Sequence, residues 1–167
     1  PNSEHQYNSP WNIAADFDID MSFSAGQIAE MLTAYETDHH TGMDVSAVAD
    51  EIEQYTSGYP YLVSAVCKMM DEKLDRENAW TREGVIEAVR LFLKEPNTLF
   101  DDMVKKLCDY PEMKNMLHDI LFRGVRYSFE IDNPNINIGV MFGFVKESQN
   151  AVVIANRLYE TKLYNLV

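Results

Sequence analysis

The chain has 167 residues, 46% of them apolar and 25% charged, which is enough to bury one good core or two small ones and excludes a chain disordered by composition. Its net charge of -13 is unevenly placed: eleven acids and no Lys or Arg lie between Pro1 and Cys67, whereas all fourteen bases fall from Lys68 onward among the other sixteen acids (27 less 11). The first part therefore repels nucleic-acid phosphates and suits a basic partner surface.

Residues 1–15 are polar and read as a linker or arm ending near Trp11. Asp16-Phe17-Asp18-Ile19-Asp20-Met21 alternates acid and apolar with period two, which predicts a half-buried strand. No second strand follows for about a hundred residues. The strand is thus expected to belong to the sheet of another domain.

A helical block follows. Ser24 and Gln27 have capping-box spacing, and Ile28, Met31, Leu32 and Tyr35 form an inward stripe. The next helix is predicted over 44–56, with Val45, Val48, Ala49, Ile52 and Tyr55 inward, stopped by Gly58. Pro60 then opens a third helix carrying Leu62, Val63, Val66, Cys67, Met69 and Met70. Thr81 is expected to cap a fourth, with Val85, Ile86, Val89 and Leu93 inward and Trp80 as a hydrophobic staple.

After Pro96 the texture changes. Helices are predicted from Thr98 to Cys108 and from Pro111 to before Gly124, then an alternating segment Val125–Phe129 and a short helix from Asn133 to Gly143. Phe144–Lys146 and Ala151–Ile154 flank a turn at Glu147–Asn150 and read as a hairpin. An amphipathic helix over 156–166 places Leu158, Tyr159, Leu163 and Leu166 against the body. The fold class is mainly α with a minor β part: a four-helix bundle, then three helices, a small sheet and a hairpin wing.

Apolar runs fall far short of the roughly 18 to 20 residues that cross a bilayer, and no signal peptide is read. Cys67 and Cys108 sit in apolar helical patterns without clustered ligands, so both are expected to be buried, reduced thiols. Metal binding is not expected. Asp38-His39-His40 with Asp44 reads as a solvated loop, and Asp16, Asp18 and Asp20 as a solvated strand edge. The aromatics Tyr55, Tyr59, Tyr61, Phe142, Phe144, Tyr159 and Tyr164 read as core or interface rather than a base-stacking platform. No Ser/His/Asp or Cys/His set has interpretable spacing, and no Gly-x-x-x-x-Gly-Lys-Ser/Thr loop is present.

The Gly58-Tyr59-Pro60 motif and the order of parts resemble ATPases of the STAND branch of the AAA+ superfamily. Ser9–Ile13, Thr56–Leu62, Asn97–Phe100, Met141–Val145 and Asn156–Glu160 are similar to bacterial AAA-like ATPases whose chains join a P-loop domain to a restriction-endonuclease-like domain. The resemblance implies an arm and orphan strand over 1–22, an AAA+-type helical lid over 23–95 and a winged helix over 96–167. It implies that Gly58, Tyr59 and Pro60 lie beside the nucleotide in the parent protein, where ATP and Mg are bound. This piece would have no cofactor or catalytic activity of its own. It would sense nucleotide in the bacterial cytoplasm with the P-loop and nuclease-like domains of the same chain as partners, and with self-association open.

The alternative is DNA binding by the winged helix. Lys105, Lys106, Lys114, Arg123, Arg126 and Lys146 are the candidate contacts. Against it, Asn133–Met141 carries no Lys or Arg, and residues 97–167 hold eight bases against nine acids.

Overall fold

The structure is a computed structural model that describes residues 21–167. The predicted arm, and all of the predicted strand except Met21, lie outside the described residues. The described chain is mainly helical, with one small antiparallel hairpin, and divides between Glu95 and Pro96 into two compact units.

The first unit contains α1 (Ala25–His39), α2 (Val45–Thr56), α3 (Pro60–Lys73) and α4 (Arg82–Lys94). Local chemistry sets each start. The Ser24 hydroxyl accepts from the Gln27 amide at 3.1 Å while the Gln27 side chain accepts from the Ser24 amide at 2.9 Å, a complete capping box. Asp44 caps α2 through the Ala47 amide, and Thr81 caps α4 through the Gly84 amide at 2.9 Å. Each such cap is worth about 1 kcal/mol. Pro60 occupies the first turn of α3, where its missing N–H leaves nothing unsatisfied.

Packing joins α1 to α2, α3 to α4 and α2 to α4. Ile28, Leu32, Ile52, Leu62, Val66 and Met70 are completely buried at the centre. Burial of each large apolar side chain contributes about 1.5 to 3 kcal/mol. In α4 the inward stripe is Val85, Ala88, Val89 and Phe92; Ile86 is exposed and Leu93 half-buried, against the expectation for both. The helix is rotated so that the aromatic ring enters the core. Trp80, expected as a hydrophobic staple, is buried, and so is Val85 in the first turn of α4.

The second unit contains α5 (Thr98–Asp109), α6 (Pro111–Phe122), α7 (Pro134–Met141), β1 (Val145–Ser148), β2 (Ala151–Ile154) and α8 (Arg157–Leu166). Its core gathers Met103, Met113, Leu117, Phe144, Leu158 and Tyr159, with the last aromatic edge-on to Phe144 at 6.1 Å. Leu163 is also buried, whereas Leu166 is only half-buried. Asn156 caps α8 through the Tyr159 amide at 2.7 Å.

The hairpin differs from the predicted one in its turn. Ser148 pairs with Ala151, so the turn is the two residues Gln149 and Asn150, both left-handed at φ 49° and 64°. Positive φ at both central positions matches the right-handed twist of the flanking strands. The alternating segment at 125–129 forms one bridge, Ser128 to Ala151, rather than a strand. Two backbone bonds hold it to the hairpin, Phe129 N–H to Asn150 O and Val152 N–H to Tyr127 O.

The cysteines also separate. Cys67 is completely buried, but Cys108 is exposed near the end of α5, a correction to the expectation of two buried thiols. The inward positions of α5 are Leu99, Phe100, Met103 and Leu107, which leaves the next position, 108, on the solvent side. No helix among the described residues is long and apolar enough to cross a membrane.

Candidate functional site

The turn between α2 and α3 is built from the Thr56 side chain outward. Its hydroxyl donates to the Ile52 carbonyl at 2.8 Å and accepts from the Gly58 amide at 3.1 Å. Ser57 and Gly58 then take left-handed conformations at φ 52° and 78°, and the Tyr59 amide returns to the Thr56 carbonyl at 3.1 Å. This connects α2 to α3 in three residues. The Tyr59 carbonyl accepts from the Val63 amide at 2.9 Å and so begins the ladder of α3.

Gly58 makes the tightest contact of the turn. Its carbonyl accepts from the Phe23 amide at 2.8 Å, and a Cβ at this position would lie 1.9 Å from the Phe23 carbonyl oxygen. The close backbone approach permitted by glycine is therefore made to the segment leading into α1. Tyr59 is 3% exposed, and burial pushes its phenol up to about 12. Pro60 is half-buried and is the most accessible of the three motif residues. Phe23 lies 35 positions from Gly58, and no pattern in the sequence marks it as the partner.

The six basic residues weighed for DNA are distributed over the second unit. Lys105 and Lys106 lie on α5, Lys114 on α6, Arg123 and Arg126 after α6, and Lys146 on β1. Several are engaged within the unit. Lys106 pairs with Asp102 at 2.6 Å and lies over the Phe142 ring, Arg123 pairs with Asp119 at 3.2 Å, and Arg126 donates to the Gln149 carbonyl at 3.0 Å. Asp119 also accepts from the Tyr127 hydroxyl at 2.8 Å, so this carboxylate organises α6 and the following segment together. Helix α7 presents no basic side chain.

Among the aromatics, Tyr59, Phe144 and Tyr159 are buried, Tyr55, Tyr61 and Phe142 are half-buried, and Tyr164 is 43% exposed. Tyr164 donates to the Leu121 carbonyl and meets Phe122 edge-on at 5.1 Å, an arrangement that anchors α8 on α6. His39, expected in a solvated loop, instead ends α1 and stacks on Tyr35 at 3.8 Å.

No family model, curated protein or solved structure matches the chain.

Proposed function

We propose that this chain is the helical lid and winged-helix portion of a bacterial STAND-type AAA-like ATPase. It senses nucleotide held by a P-loop domain and relays that state to a nuclease-like effector domain of the same parent. The observation that carries this reading is the clasp between Gly58 and Phe23. The motif turn grips the segment leading into the helical unit, so any movement of the turn is mechanically tied to the chain that enters it.

In this reading ATP and Mg bind on the P-loop domain, and the start of α3 at Pro60 approaches the nucleotide. The positive end of the α3 dipole favours anionic phosphates there. A closed lid is stabilised by as much as nucleotide binds it better than the open one, and the winged helix communicates the difference. The piece itself supplies no catalytic group.

The test pairs two titrations of the 167-residue chain: against the P-loop half of the parent with and without ATP and Mg, and against duplex DNA across a salt series. Nucleotide-tightened binding to the P-loop half, weakened by Pro60→Ala, is the expected result. Pro60→Ala should cost only about 0.4 to 1 kcal/mol of stability, because its main effect is on the unfolded chain. Salt-sensitive DNA binding with no nucleotide dependence would replace this reading with a DNA-binding winged helix.

A further inference from the structure

In the first unit a cavity of about 370 Å³ opens at the C-terminal ends of α1 and α3. Its floor is aromatic. Tyr35 and Trp80, only 7% and 6% exposed, lie with ring centroids 4.7 Å apart, and His39 stacks on Tyr35 within 5° of parallel. Leu74 adds a half-buried apolar wall.

The polar groups around this floor divide into satisfied and unsatisfied sets. The Tyr35 hydroxyl donates to Asp71 Oδ1, which leaves that carboxylate its negative charge and a second oxygen, and Arg76 lies near enough to act electrostatically on the Tyr35 phenol. Arg76 and Glu77, adjacent and exposed, also line the cavity. Neither forms an ion pair among the described residues. One cation, Arg76, and two carboxylates, Asp71 and Glu77, thus stand over an apolar, aromatic floor.

Charge selects the ligand class. A polyanion would meet Asp71 and Glu77, and a simple cation would meet Arg76; a zwitterion can turn its carboxylate to Arg76 and its ammonium to the carboxylates. The volume falls in the range of about 300 to 1,000 Å³ typical of small-molecule sites. We propose that this cavity binds a free α-amino acid with an apolar or aromatic side chain. Its carboxylate would pair with Arg76, its ammonium with Glu77, and its side chain would cover Leu74 and Trp80. The α3 residues that line the cavity, Met70 and Asp71, lie about 15 Å along the helix from Pro60. The inference therefore stands apart from the nucleotide reading.

Isothermal titration of the 167-residue protein with phenylalanine, tryptophan and leucine tests the site. Phenylalaninamide, which keeps only the positive charge, and N-acetylphenylalanine, which keeps only the negative one, are the controls. Saturable one-to-one binding of at least one free amino acid is expected, weakened about tenfold or more in either control and in Arg76→Gln and Glu77→Gln. Both positions are exposed, and thermal melts confirm that the variants fold; should one fail to fold, the single-charge controls on the unaltered protein decide. Absence of saturable binding by all three amino acids overturns the proposal. So does equal affinity for the single-charge controls, or full affinity in both variants.

Discussion

The Gly58 carbonyl holds the Phe23 amide at 2.8 Å across a gap with no room for a side chain. An added methyl would press into the Phe23 backbone, which cannot swing away as a flexible side chain can, and φ at this position is 78°. Gly58→Ala should therefore cost about 2 to 4 kcal/mol, from left-handed strain plus displacement of the 23–24 segment. Urea unfolding measures it; an unchanged midpoint would show that the clasp is dispensable.

Tyr59 makes the stability of the first unit sensitive to alkali. Its phenol is pushed up to about 12 by burial, whereas the unfolded chain releases the proton near the ordinary value of 10.0. Between those values the folded state binds more protons, so stability is complete below pH 10 and declines as pH rises towards 12. The slope from this one group is at most about 1.4 kcal/mol per pH unit. Denaturant melts of the native protein and Tyr59→Phe should diverge only above pH 10; parallel curves through pH 12 would remove Tyr59 as the source.

Glu51 on α2 is nearly buried and pairs with Arg82 of α4 at 3.1 Å, while Arg82 is half exposed. Removing the cation leaves a mostly buried carboxylate without its partner. Arg82→Gln should cost about 1 to 2 kcal/mol, below the roughly 3 to 5 kcal/mol of a fully buried pair because solvent reaches one side. The double variant Arg82→Gln, Glu51→Leu should recover much of the loss. Additive losses in the double-mutant cycle would show that the two side chains are not coupled.

The two thiols should react at very different rates. Burial raises the Cys67 thiol far above its ordinary range and hides it from solvent, whereas Cys108 is exposed. Brief iodoacetamide treatment of the native protein should add one label, located by mass spectrometry at Cys108, and denaturation should admit the second. Rapid double labelling under native conditions would mean that the α3 core opens readily.

Local chemistry by itself determined the helical segments. Ser24, Asp44 and Thr81 sit before apolar stripes, and Pro60 stands where a helix tolerates it, so the starts of α1 to α4 are legible within a few neighbouring residues. The hairpin was legible as an element, but its turn was not, since two successive left-handed residues without glycine carry a weak sequence signal. Tertiary packing alone decided that Phe92 rather than Ile86 faces inward, that Cys108 reaches solvent, and that Phe23 fills the space beside Gly58. It also decided that Tyr35, Asp71, Arg76 and Trp80 surround one cavity. Those outcomes depend on which helix faces cover one another, and residues distant in sequence share no local period that records the choice.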